Sequence, residues 1–247
     1  MHLDRLTDDA RMLFGAAPAQ EILRELISQA TSGKRLPVVM RVTLFNPDID
    51  ITRPGSMGMP SVLITTRAVP THPLRPLHVL TRRYQRPLPL AKAVGIFEQV
   101  RLRREAMAAG ADDVLMTGPY GAVAEGTTWN VAAIRDGTVC WPAGRVLPGV
   151  AMRMIAAHLA SHGFHCSTQT LQVFDLPTFD AMIATNAVTG VRPIVRVDEH
   201  VFGEETALWA DLQRVWEEIS PEPLEEGHRA EPAWNGLRSS RRRGPGA

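Results

Sequence analysis

Between residues 112 and 141 the chain is cut into short apolar runs, and this segmentation restricts the fold more than any other feature. The runs 112-DDVLMT-117, 122-AVAEG-126 and 130-NVAAIRDGTVCW-141 are separated by the turn 118-GPYG-121 and the polar loop 125-EGTTWN-130, and the last is folded back at Asp136-Gly137. Segments this short are strand-length, and Asp-Gly between apolar runs is a hairpin signal. Helix-length patterns flank them. Ile96, Phe97, Val100, Arg104, Met107 and Ala108 recur at helical spacing before a stop at Gly110, and 149-GVAMRMIAAHLASHG-163 reads as a second helix. The expectation is an α+β chain whose larger lobe is β-rich with helices packed on it.

Upstream, 18-PAQEILRELISQATSG-33 places Ile22, Leu23, Leu26 and Ile27 on one helical face, with Pro18 in the first turn and Gly33 as a stop. Two β-branched segments follow, 36-LPVVMRVTLF-45 and 61-SVLITTRAV-69, then the proline-rich 69-VPTHPLRP-76, which reads as a linker. Next come a strand over 77–84, the irregular 86-RPLPLAK-92 and, late in the chain, a helix over 204–220. The expected division is a small α/β lobe over 1–70, a larger lobe over 71–220 and a disordered Arg/Gly/Pro-rich tail over 221–247.

With 27 Lys+Arg against 26 Asp+Glu, the formal charge of +1 carries no nucleic-acid footprint. Cys140 and Cys166 are too few for a disulfide framework and lack metal-ligand spacing. Residues 1–30 hold no uninterrupted apolar run, and no membrane span is visible, so the expected location is cytoplasmic.

Lysine occurs only at positions 34 and 92; every other basic residue is arginine. Lys92 lies among Leu90, Ala91, Ala93 and Val94. A buried lysine amine can lose its proton, whereas a guanidinium keeps its own, so amine chemistry accounts for a lysine at this apolar position. A packed stem with its head in water is the alternative. Further on, 147-LPGVAMRM-154 opens a helix at Gly149, Val150 and Ala151. Their N–H groups form either an anion cradle or a plain helix start. Glu125 in its Gly/Thr loop and the polar interruption 184-ATNAVTG-190 are each compatible with a solvated turn.

The order of these motifs resembles the class IV aminotransferase family, the fold-type IV pyridoxal-phosphate enzymes. That group includes branched-chain and D-amino-acid aminotransferases and aminodeoxychorismate lyase. The resemblance rests on Lys92 followed by Phe97-Glu98-Gln99-Val100, then E-G-T-T-x-N at 125–130, L-P-G-V at 147–150 and T-N-A-x-x-G-V-R-P-I at 185–194. It also takes in 2-HLDRL-6, similar to the family's His-x-x-Arg-Leu segment. It implies that pyridoxal 5'-phosphate is carried on Lys92 as a Schiff base, that Glu125 pairs with the pyridine nitrogen, and that Lys92 is also the general base. The phosphate would be held by Arg5, by the N–H groups of Val150 and Ala151 beside Gly149, and by Thr185 and Asn186. The implied reaction is transamination of amino acids and 2-oxo acids in a homodimer, with pyruvate elimination of the lyase type as the alternative.

Three departures from the family pattern bear on this reading. Members carry a further segment before His-x-x-Arg-Leu, so a chain beginning there is expected either to start upstream of Met1 or to lack walls of the substrate pocket. In the second case it would be an inactive cofactor-binding relative. Phe97 stands where aminotransferases often have tyrosine, and it leans, with Asn186-Ala187, toward the lyase branch. Ala151 replaces a hydroxyl residue but leaves the backbone cradle intact.

Overall fold

A computed structural model describes residues 1–69, 75–203 and 206–220. The linker reading at 69–76 falls mostly on residues outside this set, and the tail reading at 221–247 falls wholly outside it.

The chain begins with a helix that the sequence reading passed over, α1 (His2–Phe14). Its core-facing positions are Thr7 and Ala10, too small to make an apolar stripe stand out. Gly15, at φ 73°, ends it in the left-handed conformation and donates its N–H to the Arg11 carbonyl. Helix α2 (Gln20–Thr31) buries Leu23 and Ile27, one turn apart, while Ile22 stands exposed and Pro18 lies just before the helix. Strands β1 (Val38–Phe45) and β2 (Ser61–Ala68) pair antiparallel as a separate two-stranded ribbon.

The remaining strands form one sheet: β3 (Leu77–Arg83), β4 (Asp113–Thr117), β5 (Val123–Gly126), β6 (Asn130–Arg135), β7 (Thr138–Pro142), β8 (His165–Gln169), β9 (Ala181–Asn186), β10 (Gly190–Val197) and β11 (His200–Val201). Their order is β5-β4-β3-β10-β9-β6-β7-β8, with β11 added on β10. The sheet is mixed. β3 runs parallel to β4 and β10, and β7 parallel to β8, while the other pairs are antiparallel. The β6–β7 hairpin turns on Asp136 and Gly137, both at positive φ as a tight two-residue hairpin requires. The sheet curls until its far ends meet. Val123 N–H of β5 donates to the Leu171 carbonyl at 2.8 Å, just past β8, and Ala122 bridges to Gln172.

Alternation along these strands builds two cores. Val131, Ala133, Met182 and Ala184 point into the curl with Leu77, Val79, Leu115 and Ile194. Ala132, Ile134, Ala181 and Ile183 point out, against Ile155 and Leu159 that follow the start of α4 (Val150–His158) and against Leu212 and Val215 of α5 (Thr206–Glu217).

Helix α3 (Phe97–Ala108) crosses between the parallel pair β3 and β4 where the sequence places it, but it is turned over. Gln99, Leu102 and Ala106 face the sheet, whereas Phe97, Val100 and Met107 of the periodic stripe are 81%, 46% and 58% exposed. The sheet takes the face whose small Ala106 allows close approach to Val114 and Met116, leaving the larger apolar side uncovered.

Candidate active site

Lys92 lies in the irregular segment between β3 and α3, where Pro87 and Pro89 prevent a regular helix. Ala91 beside it is fully buried, and the Lys92 backbone N–H donates to Asp9 Oδ2 of α1 at 3.0 Å. Lys92 keeps contact with solvent, yet its amine is surrounded closely enough for desolvation to act on it. Burial holds the amine below the ordinary lysine value; the positive charges of Arg5, Arg86 and Arg41 act in the same direction and Glu125 opposes them.

Glu125, on β5, is 3% exposed. Its Oε1 accepts from Arg86 Nε at 2.6 Å, and its Oε2 accepts from the Leu147 N–H at 3.3 Å. Arg86, 8% exposed, also donates to the Thr127 carbonyl at 3.4 Å. Burial pushes the Glu125 carboxyl up, while Arg86, the Leu147 N–H and Lys92 pull it down. Lys92 and Glu125, 33 positions apart in the chain, thus share one electrostatic neighbourhood.

Helix α4 begins at Val150 with Gly149 as its N-cap, and no side chain caps it. Val150 and Ala151 are buried. Asn130, at the start of β6, braces this turn. Its Nδ2 donates to the Leu147 carbonyl at 2.7 Å, and a Cβ on Gly149 would lie 2.0 Å from its Oδ1, so only glycine fits. Asp113 of β4 fixes the intervening loop by accepting from Thr127 Oγ1 at 2.7 Å and Trp129 Nε1 at 3.0 Å. Glu125 and the α4 terminus are therefore held as one unit.

Thr185 of β9 pairs in register with Asn130. It is fully buried, and its hydroxyl has no hydrogen-bond partner. A buried hydroxyl without a partner costs about 1–3 kcal/mol, which an oxyanion at this position would offset. Asn186 points to the other face of the strand, and its Oδ1 accepts the N–H groups of Val188 and Thr189 at 2.9 Å each, closing the β9–β10 turn. Its carboxamide is engaged there, away from Thr185.

The guanidinium of Arg5, half-buried on α1, makes no hydrogen bond or ion pair within bonding distance among the described residues, while its backbone N–H donates to the Met1 carbonyl at 3.2 Å. Burial and Arg153 of α4 lower its pKa while Asp9 raises it. Burial pushes the Asp9 carboxyl up, opposed by the Lys92 N–H and by Arg5. Arg41, Arg86, Arg153 and Asp9 were not legible as site residues in the sequence. No motif marks them, and tertiary folding alone brings Arg41, Arg86 and Asp9 to Lys92 and Arg153 to Arg5. Asn130 was visible only as the last residue of the E-G-T-T-x-N segment.

The uncapped α4 terminus, the glycine that leaves it open, the orphaned Thr185 hydroxyl and the nearby guanidinium groups fit a phosphate, and a lysine amine and a buried carboxylate that act on one another suit the rest of a pyridoxal cofactor. Replacing Thr185 with valine is expected to leave the cofactor-free protein as stable as wild type or slightly more so. The same change should weaken cofactor affinity about tenfold, measured by equilibrium dialysis, through loss of one hydroxyl bond.

The description of Amino-transferase class IV matches residues 1–197. A branched-chain-amino-acid aminotransferase of Pseudomonas aeruginosa is 32% identical over 101 residues, 40% of this chain and 33% of that protein. The chain thus aligns with about a third of that relative's length. Among solved structures, a putative 4-amino-4-deoxychorismate lyase of Legionella pneumophila has a TM-score of 0.73 at 21% identity, covering 87% of this chain and 83% of the other. An aminotransferase from Brucella abortus bound to its cofactor PLP has a TM-score of 0.73 at 24% identity, covering 86% and 81%. The curled sheet and its flanking helices are the fold of these proteins. By the span of the match and the site built within it, the chain belongs to the class IV aminotransferase family.

Proposed function

We propose that this protein transfers an amino group between an amino acid and a 2-oxo acid. The observation that supports this most is the buried Glu125 carboxylate, bonded to the Leu147 N–H just before an uncapped helix terminus, with the buried Thr185 hydroxyl left without a partner. The cofactor, when bound, supplies an aldehyde for the substrate amine and a ring that withdraws electrons from its Cα. Lys92 Nζ, kept poorly basic by burial and by Arg5, Arg86 and Arg41, takes the proton from Cα. Glu125, oriented by Arg86 and the Leu147 N–H, keeps a proton on the pyridine nitrogen. Arg5, Thr185 and the N–H groups of Val150 and Ala151 hold the phosphate.

Leucine, isoleucine and valine are the first donors to test, following the name of the Pseudomonas relative. With a 2-oxo acid acceptor, accumulation of a new amino acid supports transamination. Pyruvate released from aminodeoxychorismate without an acceptor supports the lyase reading, which Phe97 and the Legionella structure favour. A yellow protein whose absorbance ignores every amino acid would point instead to an inactive cofactor-binding relative and refute both.

The working form is a homodimer. Leu90, Val94 and Phe97, 60%, 70% and 81% exposed, lie within five residues of Lys92 and continue onto Val100, a larger apolar face than an isolated chain ordinarily leaves open. Light scattering is expected to give twice the chain mass, and Phe97→Asp to shift it toward the single-chain value. A monomeric wild type would refute this. No helix among the described residues is long and apolar enough to cross a membrane, and a cytoplasmic enzyme acting on small molecules fits.

A further inference from the structure

Thr185 shares the face of β9 with Ala181 and Ile183, whereas its neighbours Ala184 and Asn186 line a cavity of about 110 Å³. Its polar wall is formed by Arg103, Asp113, Thr128, Asn186, Thr189 and Arg192. None of these residues acts on Lys92 in the structure, and Asn186, which the family resemblance assigns to the phosphate, has its oxygen engaged in the β9–β10 turn.

The cavity holds a surplus of hydrogen-bond donors. Asp113 is its one carboxylate, and both oxygens are taken. Oδ1 accepts the Val114 N–H at 2.8 Å and Thr127 Oγ1 at 2.7 Å, while Oδ2 accepts Trp129 Nε1 at 3.0 Å and lies 3.4 Å from Arg103 Nε. Arg192 donates its Nε to the Arg75 carbonyl, yet its two Nη groups have no hydrogen bond or ion pair among the described residues. Asn186 has given its oxygen to the turn, which leaves its NH2 group to donate. The hydroxyls of Thr128 and Thr189 are also in the wall.

Two arginines, an amide NH2 and two hydroxyls thus line a space whose one carboxylate is already engaged. From this we infer that the cavity is a second anion site, back to back with the cofactor's phosphate cradle, that takes a small oxyanion, phosphate or carboxylate. The planar fork of Arg192 suits two oxygens of such a group. Burial and the like charge of Arg103 lower the pKa of Arg192, while Asp112 and Asp113 act the other way, so a bound anion would relieve a charge that its neighbours only partly balance. Asp112 does not line the cavity, and its Oδ2 already accepts the His78 N–H at 2.8 Å.

The test uses the cofactor-loaded protein and sodium sulfate at constant ionic strength, read by the indole N–H resonance of Trp129, assigned with Trp129→Phe. A saturable shift is expected in wild type, with affinity about ten- to a hundredfold weaker in Arg192→Gln, as for loss of a charge-assisted bond. Arg5→Gln, which alters only the cofactor cradle, should leave the response intact. Acetate titrated in the same way separates a carboxylate from a phosphate-like ligand by which binds tighter. If Arg192→Gln does not fold, Thr189→Val carries the test with an expected loss of about two- to tenfold. The inference is overturned if Trp129 gives no saturable shift with either anion, if Arg192→Gln or Thr189→Val binds like wild type, or if the response follows Arg5. None of these outcomes depends on which reaction the enzyme runs.

Discussion

Arginine in place of Lys92 is expected to lower kcat for amino transfer about 10³- to 10⁴-fold, the range associated with removing a positioned general base. Charge is preserved in this variant, so the loss would report the amine itself. Borohydride reduction should add the cofactor's mass to the peptide containing Lys92 in wild type and to no peptide in the variant; an adduct on another residue would refute the assignment. The pH profile has a defined sign. The amine must be unprotonated to act, and burial together with Arg5, Arg86 and Arg41 keeps it below the ordinary lysine value of 10.5, so the acid limb should lie below that value. Neutralising Arg5 or Arg86 should move the limb to higher pH, and neutralising Glu125 to lower pH.

Stability follows from the same displacement. Because the folded pKa is depressed, the unfolded chain holds a proton that the folded chain has lost at pH values between the two pKas, and stability rises with pH across that window. Below the folded pKa the cost of holding the charge is present, reduced by the solvent that reaches the exposed side chain. Lys92→Met is therefore expected to be more stable than wild type in the cofactor-free state near neutral pH, with the difference shrinking as pH approaches 10.5.

Removing Glu125 is expected to have the largest effect on folding. Its ion pair with Arg86 at 2.6 Å is almost wholly enclosed, with side chains 3% and 8% exposed. Glu125→Ala leaves the guanidinium buried with the Thr127 carbonyl as its remaining partner, a loss of about 3–5 kcal/mol by urea denaturation. Glu125→Gln keeps an acceptor and should cost less, while still lowering amino transfer about a hundredfold because the carboxylate's charge is gone. Replacing both members with leucine should recover most of the stability lost in Glu125→Ala, since the penalty lies in the unpaired charge rather than in the absence of the pair. A Glu125→Ala protein within about 1 kcal/mol of wild type would show that Arg86 had found another partner or water.

Several residues of the proposed cofactor site could be read along the chain. Lys92 stood out because arginine had displaced lysine nearly everywhere else, and Gly149 to Ala151 because a helix opening on Pro-Gly leaves its N–H groups bare. Asn186 was legible as polar, but the pleat sends it to the other face from Thr185, where it closes a turn and borders a different cavity. Arg86 could not be foreseen, because its pairing with Glu125 across 39 positions depends on the path of the irregular segment before Lys92.

Local chemistry and spacing determined which segments become helices and strands, where the chain turns, and which groups are capable of amine and anion chemistry, because these depend on neighbours a few residues away. Sheet order, the curl that joins β5 to the segment after β8, the face that α3 turns inward and the charges that gather around Lys92 were decided by tertiary structure. Each of these is a choice among surfaces of comparable local merit, settled by which combination fills the cores and leaves fewest buried polar groups alone.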